Sequence, residues 1–454
     1  MTYPEALQYL ESFINYEKID TYNYRSSLKL DRMERFSDLL GSPQKYTRAI
    51  HIAGTKGKGS VAAFTHSILM SAGFKAGLYT SPHLIDFRER IRIDNELISE
   101  EDLASILDRI RDTVEGSMKD DRPSFFEVYT ALAYIYFKEK GCDFAVYETG
   151  LGGRLDATNV IEPLACAITP LSYEHTDKLG NTLEEIAREK CGIIKPGSIC
   201  VSAPQGKEAL KIIERVCRDS PARLILVGRD ILVDEVHSAE DEEVFNVLGI
   251  LGEYPLLKTR LIGSHQMVNA ATAIGLIEGL MLRGITISSG AVREGIKGTR
   301  WQGRLEIVNR NPYIVLDGAQ NRASAESLAS AVKKIFKYRR LILVLGVSMD
   351  KDIKGILATL VPISDSIILT KSKVASRSMA PEKIKEAAEN MRVPQFLITY
   401  NVEDALKKAL AGADKDDLIL VTGSLFVVGD AIAALPACRQ AGNAAIRLPT
   451  AAVW

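Results

Sequence analysis

Residues 51–64 read HIAGTKGKGSVAAF, a phosphate-loop-like stretch whose spelling departs from the common pattern. That pattern places a glycine five residues before the Gly-Lys pair and a Ser or Thr directly after it. Ile52 holds the first place here, Gly59 follows Lys58, and the hydroxyl arrives one position late, at Ser60. The preceding YTRAIHIAG reads as a buried strand, and SVAAFTHSILMSAG as a helix stopped by Gly73. Strand, small-residue loop and helix in that order build an anion site. Backbone N–H groups approach closely and the helix N-terminus adds a favourable dipole. Gly54, Thr55, Gly57, Lys58, Gly59 and Ser60 are the candidate phosphate contacts. The bland alternative is a glycine-rich turn that holds no ligand.

Outward from this loop the strand–helix alternation continues. KAGLYTSP, CDFAVYETG and ACAITP are strand candidates, and FFEVYTALAYIYFKEKG is helical. Such alternation predicts an α/β fold with a mostly parallel sheet. Residues 222–262 are β-rich with little helix, which predicts a small antiparallel elaboration. HQMVNAATAIGLIEGLMLRG returns to helix. A second α/β series follows, with strand candidates EIVNRNPYIVLDGA, RLILVLGV, DSIILTK, QFLITY and DLILVTGS. Among its helices, NVEDALKKALAGA puts Val402, Ala405, Leu406, Ala409 and Leu410 on one face. The expected division is 1–298, 299–435 and a loosely held tail, 436–454, cut near KGTRWQG (297–303).

At 454 residues, with 46% hydrophobic and 25% charged residues, the chain can bury sizeable cores. A net charge of −1 gives no reason to expect nucleic acid or a membrane surface as partner. No apolar run is long enough to span a bilayer, and the N-terminus lacks a signal-peptide core. Six scattered cysteines without CxxC or zinc spacing read as reduced, buried thiols. A cytoplasmic monomer is the expectation.

Other stretches deliver chemistry to the carboxyl ends of strands, where open parallel sheets bind ligands. YETGLGGRLDATN ends a strand on Glu148, a carboxylate suited to Mg²⁺ or merely an exposed acid before a glycine turn. AITPLSYEHTDKLGNT offers His175, as readily structural as catalytic. IAREKCGIIKPG carries Lys190 and Lys195, which a solvated helix end would also explain. SHQMVNAAT presents Gln266 and Asn269, able to hydrogen-bond a base or ribose. Arg304 in WQGRLE can grip a phosphate through two N–H groups. Asp317 in LDGAQN ends an apolar strand of the second series, as Glu148 does in the first.

IHIAGTKGKGS, YTSPHLIDFRERI, ETGLGGRLDATN, TLEEIAREKCGIIKPG, SHQMVNA, WQGRLE, LDGAQN and VTGSL occur in this order between residues 25 and 430. Together they resemble the folylpolyglutamate synthases, a branch of the Mur-type amide ligases whose bacterial members include makers of dihydrofolate. The resemblance implies a P-loop-type ATPase domain followed by a Rossmann-like domain. It also implies a reaction in which ATP phosphorylates a substrate carboxylate and the α-amine of L-glutamate attacks the acyl phosphate. The acceptor would be folate or dihydropteroate. By motif position Lys58 would hold phosphates, Ser60, Ser81 and Glu148 would serve a first Mg²⁺, and His175 a second. Lys190 falls where the family carries a carbamylated lysine, an anion able to help that second metal. Asn269, Arg304 and Asp317 match nucleotide positions contributed by both domains, whose closure would shield the acyl phosphate from water. Arg90, Gln320 and Ser424 match positions on the folate or glutamate side.

Three departures stand out. Lys56 replaces the family's Asn, Glu174 its Asp, and Gln320 a His, so position 320 cannot become cationic near neutral pH. Two other readings remain open here: a Mur-type ligase acting on a different acid, and an ATPase or nucleotide switch without ligation. The SPHL and GLGGRLDATN strings speak against the first, and the C-terminal series, superfluous for a switch, against the second.

Overall fold

The computed structural model describes residues 1–19, 22–374, 376–389, 391 and 396–440. Two compact units divide the chain. The first comprises residues 1–237, 244–259 and 266–299; the second comprises 238–243, 260–265 and the chain from Arg300 onward.

In the first unit the apolar run around the phosphate loop becomes β1 (Arg48–Ala53), the interior of an eight-stranded sheet. The other strands are β2 (Ala76–Tyr79), β3 (Ile91–Ile93), β4 (Glu96–Leu97), β5 (Phe144–Glu148), β6 (Pro163–Ile168), β7 (Ile199–Ser202) and β8 (Arg223–Leu226). Their order is β4-β3-β2-β5-β1-β6-β7-β8. Pairing is parallel except at the β2–β3–β4 edge. β1 and β5 are buried almost throughout because apolar clusters cover both faces, which is why they read as continuous apolar runs rather than alternating ones. The helix after the loop spans Lys58–Ser71, with Gly73 at φ +86° just beyond it.

Two expectations change. The β-rich stretch begins with β8, which pairs parallel with β7 and completes the main sheet, because the helix Lys207–Asp219 supplies the crossover that a parallel neighbour needs. Only β9 (Leu232–Ser238), β10 (Glu243–Leu248) and β11 (Glu253–Thr259) form the separate small sheet, in the order β11-β10-β9. In the second unit, EIVNRNPYIVLDGA makes two antiparallel strands, β12 (Glu306–Arg310) and β13 (Tyr313–Leu316). The Asn311–Pro312 pair breaks the run, since proline donates no ladder hydrogen bond.

The second unit adds β14 (Leu341–Leu345), β15 (Ser366–Leu369), β16 (Phe396–Ile398) and β17 (Leu418–Thr422), in the sheet order β12-β13-β17-β14-β15-β16. All of these pairs but β12–β13 are parallel. The helix Val402–Gly412 buries Val402, Ala405, Leu406, Ala409 and Leu410, the face expected from their spacing. The helix Leu425–Gln440 runs through position 436, where the tail was expected to start; residues 441–454 lie outside the described residues. All six cysteines are free and buried. No helix among the described residues is long and apolar enough to cross a membrane.

Candidate active site

β1 ends at Ala53, and the loop that follows is laced onto the segment after β6. Thr169 donates its N–H to Ala53 O at 2.8 Å, and the N–H groups of Thr55 and Lys56 reach Pro170 O at 3.1 and 3.2 Å. Glycine is required at two points. A Cβ at Gly54 would stand 1.8 Å from Thr169 Oγ1, and one at Gly57, whose φ is +81°, would stand 2.4 Å from Asn269 Oδ1. Asn269, predicted only as a nucleotide contact, is thus packed against the phosphate loop, and its amide donates to Gln266 Oε1 at 3.0 Å. Lys58 opens the helix, with Gly59 and Ser60 buried in its first turn.

The parallel register brings the loops after β1, β2 and β5 to one sheet edge. Glu148, 5% exposed, accepts from the Ser81 N–H at 3.3 Å, and its other oxygen stands 3.8 Å from the Lys58 ammonium. A carboxylate, a serine and a phosphate-loop lysine therefore meet. Lys190, 5% exposed, reaches under the loop and donates to Gly54 O at 2.7 Å. Burial, reinforced by the positive charge of Lys58, pushes its ammonium down to about 7. The GLGG turn lies against the helix carrying Lys190, and a Cβ at Gly153 would stand 2.6 Å from Lys190 O. His175 has φ +52° at the head of the short helix Thr176–Leu179. The residue before it, Glu174, stands 3.4 Å from the Lys56 ammonium.

Among the described residues no three His, Cys, Asp or Glu side chains form a cluster able to hold a metal by themselves. Mg²⁺ does not need one, because it keeps several waters and takes one or two protein carboxylates plus phosphate oxygens. Around the loop, the buried hydroxyls of Thr149, Thr169 and Ser172 have no hydrogen-bond partner among the described residues. Those orphaned oxygens and the Glu148–Ser81 pair fit a hydrated, oxygen-coordinated ion beside phosphates.

Arg90, expected on the substrate side, is 1% exposed. Its Nη1 and Nη2 close on both oxygens of Glu17 at 2.8 and 2.6 Å, and Nε donates to His83 Nδ1 at 2.9 Å. In this structure its fork is filled from within the chain. Glu17 was missed because a single acid in an irregular segment carries no pattern. Glu189 was missed too, though it stands directly before Lys190; it accepts from Tyr24 at 3.1 Å and from Arg154 at 2.8 Å.

In the second unit, β13 and β17 pair in parallel and deliver Asp317, Gln320 and Ser424 to one edge. Asp317 accepts from the N–H groups of Leu305 at 2.9 Å and Ala319 at 2.8 Å. Burial raises its pKa while the positive charge of Arg304 pulls the other way. Arg304 donates to Gly303 O, and a Cβ at Gly318 would stand 2.7 Å from its guanidinium. Gln320 donates its N–H to Ser324 Oγ at 3.1 Å, and Ser424 accepts from the Phe426 N–H at 3.2 Å.

Two family models match the chain: the Mur ligase middle domain over residues 52–277 and the Mur ligase glutamate ligase domain over residues 303–425. A Bacillus subtilis protein named dihydrofolate synthase/folylpolyglutamate synthase is 35% identical over 405 residues, 88% of this chain and 93% of that one. The Escherichia coli protein of the same name is 31% identical over 443 residues, covering 97% and 99%. Among solved structures, Mycobacterium tuberculosis folylpolyglutamate synthase complexed with ADP superimposes with a TM-score of 0.86 at 32% identity, covering 95% of this chain and 97% of that one. E. coli FolC in complex with DHPP and ADP gives 0.84 at 30% identity, covering 97% and 99%.

Proposed function

The chain belongs to the dihydrofolate synthase/folylpolyglutamate synthase family of Mur ligases, ATP-dependent acid–amino-acid ligases, and on that premise we propose that it joins L-glutamate to folate, with dihydropteroate as a second acceptor. The observation that carries this reading is the convergence of Lys58, Glu148 and Ser81 beside a loop that opens a helix.

In the first step an oxygen of the acceptor carboxylate attacks the γ-phosphorus of ATP, the bond to the β-phosphate oxygen breaks, and ADP leaves. The glutamate α-amine then attacks the acyl carbon, phosphate departs, and the amine loses a proton as the amide forms. The loop N–H groups and Lys58 hold and neutralise the phosphates, and such positioning supplies most of the rate in phosphoryl transfer. Ser60, Ser81 and Glu148 would hold one Mg²⁺, and His175 with a carbamylated Lys190 a second. Bound there, Mg²⁺ would neutralise phosphate charge and orient the γ-phosphate. With its pKa near 7, Lys190 presents the neutral amine that carbon dioxide requires for carbamate formation. Arg304 and Asp317 as nucleotide contacts, and Arg90, Gln320 and Ser424 on the substrate side, rest on motif correspondence. Buried free thiols favour a reducing cytoplasm, and we assign a monomer.

Purified protein is expected to release ADP only when folate (or dihydropteroate) and glutamate are both supplied. Turnover with neither acceptor would overturn the reading, and comparing dihydropteroate with tetrahydrofolate decides the bifunctional part. Lys58→Ala is expected to abolish ADP formation; full activity in that variant would remove the loop from the mechanism.

A further inference from the structure

Two of the three departures from the family pattern meet in space. Lys56 and Glu174 are 118 residues apart, and the lysine Nζ stands 3.4 Å from Glu174 Oε2. Their surroundings form a seam. The N–H groups of Thr55 and Lys56 share Pro170 O, while Thr55 Oγ1 donates to Ser172 O at 3.3 Å and accepts from the Ser172 N–H at 3.2 Å. The ion pair is the next link outward, one residue before His175. With φ +52°, His175 sits in a left-handed conformation that its surroundings must hold.

We propose that Lys56 and Glu174 act as a positioning pair in this chain, in which Lys56 neutralises Glu174 and fixes the segment bearing His175 to the phosphate loop. The competing possibility is that Lys56 is an independent phosphate contact. Charge distinguishes the two. Lys56 with Glu174 sums to zero. Removing Lys56 alone would add net negative charge beside the bound phosphates, whereas removing both charges would not. The side chains are 25% and 10% exposed, so solvent screens the pair and its worth in stability is modest. Its consequence lies in placement.

The proposal rests on the nucleotide reading of the loop, and a double-mutant cycle tests it separately from that reading. Lys56→Asn is expected to weaken ADP binding by about three- to tenfold, measured by calorimetry on the full chain. Adding Glu174→Gln to that variant should return the affinity toward wild type. Glu174→Gln alone should lower kcat with little change in KM for ATP, because it loosens the His175 segment while adding no repulsion. Single effects that simply multiply in the double variant would overturn the pair, as would a Lys56→Asn protein that binds ADP normally. The same four proteins unfolded thermally without nucleotide give a second cycle. Failure of wild type to bind ADP would defeat the nucleotide reading, while coupling in the unfolding cycle would still support the pair and additivity there would refute it.

Discussion

Glu148 and Asp317 hold matching places in the two units, each at the carboxyl end of an apolar parallel strand and each followed closely by glycine. Their uses differ. Glu148 stands between loops that reach it from other strands, bonded to the Ser81 N–H with the Lys58 ammonium 3.8 Å away. Asp317 turns both oxygens onto N–H groups of its own hairpin and the loop that follows, those of Leu305 and Ala319. A strand-end carboxylate in this fold therefore takes its role from the groups that reach it: Glu148 meets a lysine and a serine from other loops, whereas Asp317 also orders the backbone around it. Position at the sheet edge is not sufficient.

The strongest test of that contrast is a pair of substitutions. Glu148→Gln is expected to lower ligase turnover by about a hundredfold or more, since it removes charge from the phosphate edge, with little change in melting temperature. Asp317→Ala leaves two buried N–H groups without acceptors and is expected to cost about 2–3 kcal/mol in denaturant unfolding. If the two variants lost activity and stability in the same proportion, the contrast would collapse.

A smaller effect, confined to the first unit, sharpens the same point. Lys190→Ala is expected to lose most activity, and short carboxylic acids should restore part of it by standing in for the proposed carbamate. Kinetics unchanged by the substitution would dismiss the carbamate. Lys190 also donates to Gly54 O beneath the phosphate loop, so rescued activity separates its chemical role from its packing role.

Much of this was legible in the sequence, for identifiable reasons. Buried parallel strands leave continuous apolar runs, and glycine is forced where backbone meets a neighbour, so β1, β5, Gly54 and Gly57 could be read directly. The helix face of Val402, Ala405, Leu406, Ala409 and Leu410 followed from its period. β8 could not be separated from the small sheet, because a short apolar run does not say which strand it pairs with. Nor could the hairpin of β12 and β13, whose break depends on one Asn-Pro pair. The pairings Arg90–Glu17 and Lys56–Glu174 join residues 73 and 118 positions apart, and contacts between such distant single residues have no periodic signature. Glu148 and Asp317 could be named; that Asp317 also accepts from the N–H groups of Leu305 and Ala319 could not.

The smallest expected effect is on pH. His51 and His66 lie in the first unit with their rings fully buried; His51 Nε2 stands 2.7 Å from Thr158 Oγ1, and His66 Nε2–H donates to Ala76 O at 3.1 Å. Burial holds both imidazoles neutral, pushing them down to about 3 and about 4, whereas the unfolded chain titrates at the ordinary value of 6.5. As pH falls below 6.5 the unfolded chain takes up protons that the folded chain refuses, so stability falls with pH across the window from 6.5 to about 4. In the second unit His265, lowered to about 4 by burial and then Arg304, acts in the same direction. With two such rings besides His83, lowered to about 3, the first unit should be the more acid-sensitive. His66→Gln keeps a donor for Ala76 O but cannot be protonated in this range, so it should flatten the pH dependence of denaturant unfolding between pH 6.5 and 4.5. An unchanged slope would mean that the imidazole takes up its proton without unfolding, and that burial does not hold it neutral.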